Sequence, residues 1–146
     1  NAWQIIQGLE TVGLRMKQHC ANAEKVVTFL ETQKKVENVI YPTNHQGEIK
    51  DRALRYMKGG YGSLVGMDVG TKENGAKFID NLKMLYHVAN IGDARSLAIH
   101  PATTTHSQLS EKELLAAGVT PGYVRLSVGI EHPDDIIADI KQALAA

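Results

Sequence analysis

Apolar residues recur every three or four positions over the first thirty residues, which predicts one long amphipathic helix. The stripe consists of Ile5, Leu9, Val12, Met16, Cys20, Ala23, Val27 and Leu30. At 1.5 Å per residue such a helix would be about 50 Å long, against a width of roughly 30 Å for a small domain. We therefore expect its first turns, which carry Trp3 and Ile6, to project and to need covering by another domain.

The rest of the chain alternates short apolar runs with amphipathic stretches. Strands are predicted over residues 36–41, 61–69, 96–100 and 124–130, and helices near 51–57, over 72–89, after Ser110 and from Pro133 onwards. Thr71 is a predicted N-cap, Ser110 and Glu113 form a predicted capping box, and Pro133 suits a first helical position. This pattern predicts an α/β domain of the α+β type, with a small sheet of about four strands and helices mainly on one face.

Composition narrows the function classes. The chain has 146 residues, enough for one domain, and its 16 basic residues balance 16 acidic ones. We therefore expect neither nucleic acid nor membrane as a partner. One cysteine, Cys20, and the lack of a long apolar run suit a cytoplasmic location. Because the chain starts at Asn1 without an initiator methionine, we expect a processed product or an excised piece.

Arg125 is the most informative residue. It lies in the run "YVRLSVGI", where Val124, Leu126 and Val128 would line one face of a strand and Arg125 the other. A guanidinium in such a strand needs an anionic partner, and its planar fork suits a carboxylate. The alternatives are an ion pair with Asp68 or Glu131, or an arginine that faces solvent at a sheet edge.

Polar residues concentrate in the stretch "NIGDARSLAIHPATTTH", around the predicted third strand. Its hydroxyl and imidazole side chains, among them Ser96 and Thr105, would stand at a strand mouth, where ligands often bind. An ordinary solvated turn is the alternative. The six histidines lack the close spacing of a metal site, "GGYGSLVG" does not match a phosphate loop, and no nucleophile elbow occurs.

The segment "GDARSLAIHPATTTHSQL", with "AAGVTP" and "VRLSVGIEHP", resembles the C-terminal domain of the cystathionine and methionine metabolism family of fold-type I pyridoxal-phosphate enzymes. The early "GLETVGLRM" and the run "GGYGSLVGMDV" are similar to the same domain, so the resemblance covers residues 1–146. Within the family, the motifs are most similar to the branch that makes homocysteine from O-acetylhomoserine and sulfide. Arg95 stands where lyase-type sequences usually have glutamate.

The resemblance implies a site and a set of partners. Arg125 would hold the substrate α-carboxylate, Ser96 would line the same pocket and orient that carboxylate, and Thr105 would support the arginine or the cofactor side. Pyridoxal phosphate would be held by an N-terminal cofactor domain of the same enzyme, because no motif here matches the family's lysine or phosphate loop. We therefore expect this chain to be inactive alone, to bind no cofactor, and to form a homo-oligomer around a small amino-acid substrate.

Two other functions stay open at the level of sequence. One is a fragment of a cystathionine γ-synthase, a cystathionine γ-lyase or a methionine γ-lyase. The other is a non-catalytic module that binds small carboxylates or assembles with a partner.

Overall fold

A computed structural model describes the whole chain, residues 1–146. The helices are α1 Ala2–Glu10, α2 Val12–Leu30, α3 Gly47–Tyr56, α4 Lys72–Asp80, α5 Glu111–Ala116 and α6 Pro133–Ala145. The strands are β1 Asn38–Ile40, β2 Leu64–Asp68, β3 Tyr86–His87, β4 Leu97–Ile99 and β5 Tyr123–Ser127. A single 3₁₀ turn, Pro101–Thr103, follows β4. No helix combines the length and the apolar character that crossing a bilayer requires.

The strands form one five-stranded sheet in the order β1-β2-β5-β4-β3. All neighbouring pairs are antiparallel except β3 with β4. At the centre of the sheet, Arg125 on β5 is paired with Gly66 on β2 and with Ile99 on β4. The position of Arg125 in a central strand excludes the sheet-edge alternative.

The core lies between one face of the sheet and the helices α2, α4 and α6. Val65 and Met67 of β2, and Val124 and Leu126 of β5, are fully buried there. Because successive side chains of a strand point to opposite faces, the residues between them lie on the other face. That second face holds Arg125, and α3 flanks it only beside β1 and β2. The prediction of helices mainly on one face is confirmed.

The prediction of one continuous N-terminal helix is wrong in one detail, a break at Thr11 between α1 and α2. Arg15 marks the break, because its guanidinium donates to the Gly8 carbonyl over 2.6 Å and to the Thr11 hydroxyl over 3.2 Å. No residue of α1 is buried, and Trp3 is 70% exposed. The projecting apolar end is therefore confirmed.

The predicted helix over 72–89 ends early, at Asp80, and the missing part contains the unpredicted strand β3. The buried carboxylate of Asp139 on α6 accepts hydrogen bonds from the amides of Lys83, Met84 and Leu85 over 2.8–2.9 Å. These bonds hold the backbone in a turn, after which the Val88 amide donates to the Ala98 carbonyl of β4. The count of about four strands is therefore corrected to five.

The predicted helix starts at Thr71, Ser110 and Pro133 are confirmed, whereas the helix predicted near 51–57 begins earlier, at Gly47. The Thr71 hydroxyl accepts from the Asn74 amide, Ser110 and Glu113 form the capping box, and Pro133 occupies the first turn of α6. These local signals are independent of tertiary packing, which is why the sequence predicts them well.

Candidate functional site

The Arg125 side chain has a buried polar atom without a partner. Its Nη2 donates to the Asn90 carbonyl over 3.3 Å, whereas its Nε is buried and makes no hydrogen bond. None of the three ion pairs in the structure includes Arg125. An unsatisfied buried donor on a charged group is costly, and the Arg125 guanidinium has no anionic partner within the chain.

The two acids considered as partners for Arg125 are engaged elsewhere. Asp68 accepts from the Thr120 hydroxyl over 2.5 Å and from the Gly70 amide over 2.8 Å. Glu131 accepts from the amide and from the hydroxyl of Ser96, over 2.6 and 2.8 Å. The alternative of an internal ion pair for Arg125 is therefore wrong.

Arg125 lines a shallow cleft of about 400 Å³ on the helix-poor side of the sheet. The cleft is lined mainly by Asn90, Ile99, Thr105, His106, Tyr123 and Arg125. Arg125 and Tyr123 also border a second, more apolar cleft of about 520 Å³ beneath α3. No aspartate or glutamate lines either cleft, so the field of the guanidinium is not neutralised and favours an anionic ligand.

Thr105 lies in the same cleft as Arg125. Its side chain is exposed, and its hydroxyl is 2.8 Å from Nδ1 of His106. The structure thus brings together the first and the third of the predicted site residues. The Thr105 hydroxyl is accessible to a ligand because the side chain is exposed.

Ser96 occupies a different environment. It is fully buried, and its hydroxyl donates to Glu131 and accepts from the Gly129 amide over 2.8 Å. In the alternation of β4 it lies on the side of the core residue Ala98, whereas Ile99 lies on the side of Arg125. Direct contact of the Ser96 hydroxyl with a ligand stays a prediction, and the structure does not place this residue in the lining of the cleft.

Tyr123 is a wall of the cleft that sequence reasoning did not select. Its ring crosses Gly66, because a Cβ added there would lie 2.7 Å from Cε2 and 3.0 Å from the hydroxyl of Tyr123. Burial raises the pKa of Tyr123, and the nearby charge of Arg125 opposes that rise. The phenol stays protonated and can donate. Gly66 was the available signal in the sequence, because a glycine within a strand often marks the close approach of another group.

Asn22 and His19 on α2 anchor the segment after β5, and sequence reasoning missed both. The Asn22 amide donates to the carbonyls of Gly129 and Glu131 over 3.0 and 2.8 Å, and Nδ1 of His19 is 2.6 Å from the Val128 carbonyl. The signal in the sequence was the presence of two polar residues one helical turn apart on an otherwise apolar side of the helix. Together they tie α2 to the end of the strand that carries Arg125.

The fold and the site define a mixed α/β domain with a cleft that is lined by an arginine of a central strand. The family model of the Cys/Met metabolism PLP-dependent enzymes matches residues 1–145, and the chain belongs to this family.

Named relatives agree with that assignment. The chain is 51% identical over 146 residues, 99% of its length, to the O-acetyl-L-homoserine sulfhydrylase of Leptospira meyeri, and covers 33% of that protein. It is 42% identical to the L-methionine gamma-lyase of Fusobacterium nucleatum, with coverage of 99% of this chain and 36% of that protein. The chain thus spans about a third of the length of the curated relatives that it matches.

A solved structure shares the fold. This chain superimposes with a TM-score of 0.92 and 42% identity on a Campylobacter jejuni protein described as an O-acetylhomoserine (thiol)-lyase, covering 100% of this chain and 35% of that one. That crystal structure, at 2.35 Å resolution, contains a pyridoxyl-lysine monophosphate at its position 205.

The residues of the two clefts do not form a pyridoxal-phosphate site. Neither cleft is lined by a lysine that could form the covalent link or by an aspartate that could face a pyridine nitrogen. The side chains also bring together no group of three or more metal-ligating residues. Among the lining residues of the cleft beside β4, Arg125 is the one with a permanent positive charge.

Proposed function

We propose that this chain is the substrate-binding C-terminal domain of a pyridoxal-phosphate enzyme that makes homocysteine from O-acetylhomoserine and sulfide. The observation that carries the proposal is the Arg125 guanidinium, which has no anionic partner in the chain and lines a cleft without acidic residues. An α-amino acid presents a carboxylate, which matches the planar fork of a guanidinium with two parallel hydrogen bonds. The family membership and the sulfhydrylase names among the relatives support the choice of reaction.

Arg125 fixes the α-carboxylate, and this contact orients the substrate for chemistry supplied by the rest of the enzyme. Thr105, which lines the same cleft, supports the guanidinium or the cofactor side of the pocket. Ser96 acts indirectly, because its hydroxyl holds Glu131 and Gly129 behind the end of β5. The cofactor supplies the electron sink of the reaction. Its lysine and phosphate site belong to an N-terminal cofactor domain in this proposal, and the chain alone binds none.

The complete enzyme tests the carboxylate assignment. Arg125→Ala should raise the dissociation constant of the amino-acid substrate by about 30-fold or more, since a buried charge-assisted pair is worth roughly 2 kcal/mol or above. Arg125→Lys should recover only part of the loss, because an ammonium lacks the planar fork. Arg95→Ala is the matched control, since Arg95 is exposed, stacks on Tyr86 and pairs with Asp93. Unchanged affinity in Arg125→Ala would refute the proposal.

A γ-lyase or γ-synthase is the second candidate, favoured by the identity to an L-methionine gamma-lyase. Three assays of the complete enzyme separate the candidates: O-acetylhomoserine with sulfide, O-acetylhomoserine with cysteine, and methionine alone. The proposal predicts product formation at a substantial rate only in the first assay, as homocysteine and acetate. Faster product formation from cysteine or methionine would select the second candidate.

A further inference from the structure

His100, at the end of β4, is a fully buried imidazole whose two ring nitrogens are both engaged. Nε2 is 2.8 Å from the Pro121 carbonyl, and Nδ1 is 2.9 Å from the Thr103 hydroxyl. A carbonyl oxygen can only accept, so Nε2 must carry the proton. In the neutral ring Nδ1 is then the acceptor, and the Thr103 hydroxyl donates to it over 2.9 Å, a shorter contact than the 3.3 Å between this hydroxyl and the His100 carbonyl.

The helix α4 has a glycine against this imidazole. A Cβ added at Gly75 would clash with Nε2 of His100, so any other residue at this position would displace the ring. Glycine within a helix costs about 1 kcal/mol relative to alanine. Its presence in the middle of α4 is explained by the close approach of the imidazole.

The two partners of His100 are close in sequence to residues that line the Arg125 cleft. Thr103 closes the 3₁₀ turn that leads to Thr105 and His106, which line the cleft. Pro121 lies two residues before Tyr123, the first residue of β5 and another lining residue. The imidazole thus joins the two segments that carry these lining residues, on the side of the sheet opposite to the cleft.

We propose that His100 is a positioning residue, which sets the width of the Arg125 cleft by joining the turn after β4 to the entry of β5. This inference rests on the proposed carboxylate-binding function. Ile99, its neighbour along β4, is paired with Arg125 in the sheet, so a shift of this strand end moves the cleft wall directly. The neutral imidazole has one donor and one acceptor. These match the two partners, because the Pro121 carbonyl accepts and the Thr103 hydroxyl can donate.

Thr103→Val in the complete enzyme removes one of the two hydrogen bonds of the His100 ring at an exposed residue, so the fold should survive. It should raise the dissociation constant of norleucine, an amino acid without a leaving group, by about three- to tenfold, as the loss of one hydrogen bond predicts. It should raise KM more than it changes kcat. Thr103→Ser should restore both constants.

Thr104→Val is the matched control. Its hydroxyl donates to the His100 carbonyl over 2.8 Å and does not touch the ring, so it reports on turn stability alone. The proposal predicts less than a twofold change in norleucine affinity for this variant. An equal change in both valine variants, or none in Thr103→Val, would overturn the proposal.

His100→Gln is the second variant, in which an amide can still donate to the Pro121 carbonyl but cannot accept from Thr103 in the same geometry. It should weaken norleucine binding at least as much as Thr103→Val, and wild-type affinity in a folded His100→Gln protein would also overturn the proposal.

Arg125→Ala, measured in parallel, separates the positioning role of His100 from the carboxylate site. If Arg125→Ala loses affinity for norleucine but the His100 and Thr103 variants do not, only the positioning role of His100 is refuted. If Arg125→Ala loses no affinity, the carboxylate site itself is refuted.

Discussion

The Ser96 hydroxyl donates a hydrogen bond to Glu131 over 2.8 Å and accepts one from the Gly129 amide over the same distance. Glu131 also accepts from the Ser96 amide, so three bonds close the segment between β5 and α6 onto the start of β4. Gly129 is required there, because a Cβ would lie 2.5 Å from the Ala94 carbonyl oxygen. The serine expected to touch the ligand is therefore part of the support for the strand that carries Arg125.

The support role of Ser96 predicts a stability effect larger than its effect on binding. Ser96→Ala and Glu131→Gln should each lower the free energy of unfolding by about 1–3 kcal/mol, because each leaves buried polar groups unpaired. The double variant should lose less than the sum of the two, since both act in one network. Urea denaturation measures these losses, and titration with norleucine gives the affinity. A large loss of affinity in Ser96→Ala at unchanged stability would instead indicate direct contact with the carboxylate.

The hydrogen bonds of Asp139 predict a second effect on stability. They hold the turn at residues 83–85, which follows α4. Burial tends to raise the pKa of Asp139, but bonds from the amides of Leu85, Met84 and Lys83 outweigh it and lower the pKa below its usual value. Its stabilising contribution is thus present above the unfolded pKa of about 3.9 and is lost as the pH falls through the folded value.

Asp139→Asn should therefore lower the free energy of unfolding at neutral pH by about 1–3 kcal/mol. Asp135→Asn, on the exposed side of the same helix, is the control and should change it by less than about 0.5 kcal/mol. Denaturation curves of the two variants test this, and equal effects would show that the amide bonds of Asp139 contribute little.

His100 predicts a pH dependence near neutrality. Burial lowers the pKa of His100 from its ordinary value of 6.5; the Pro121 carbonyl opposes this shift, and Lys72 on α4 and His87 on β3 reinforce it. On acidification the unfolded chain takes up this proton before the folded one does. Stability should therefore fall as the pH drops below about 6.5, by up to about 1.4 kcal/mol per pH unit.

The slope of unfolding free energy against pH, measured from about pH 7 to 5 by denaturation, checks this sign. His100→Gln should have a shallower slope over the same range. A slope that is the same in the wild type and in His100→Gln would contradict a neutral buried His100.

The exposed face of α1 predicts self-association of the 146-residue chain. Trp3, Ile5 and Leu9 are 70%, 64% and 62% exposed, and no other element covers them. Ile5→Glu should reduce the association that analytical ultracentrifugation detects, because it places a charge within the apolar stripe. Gln7→Glu is the control, with the same added charge at an exposed polar position of the same helix. A wild-type chain that stays monomeric at high concentration would contradict this prediction.

Local signals made much of the fold predictable. The stripes of α2 and α6, the caps at Thr71 and Ser110, and the apolar alternation of β5 all depend on residues close in sequence. The exceptions depend on distant residues. The end of α4 and the presence of β3 are decided by Asp139, more than fifty residues away, which no local pattern announces.

The candidate site was predictable to a smaller degree. Arg125 is conspicuous because a guanidinium interrupts an apolar strand, and the structure shows its Nε buried without a partner. Thr105 reaches the same cleft. The different environment of Ser96 depends on Glu131, and the roles of Tyr123 and His100 depend on Gly66 and Gly75, which lie on other elements. Pairings between elements of this kind follow only from the packed structure.

The central claim is that Arg125 binds an amino-acid carboxylate, and a crystal structure of the complete enzyme with norleucine tests it most directly. We predict that both carboxylate oxygens lie about 2.7–2.9 Å from nitrogens of the Arg125 guanidinium. Norleucine with its carboxylate on another residue, while Arg125 pairs with an acidic side chain of the protein, would contradict it.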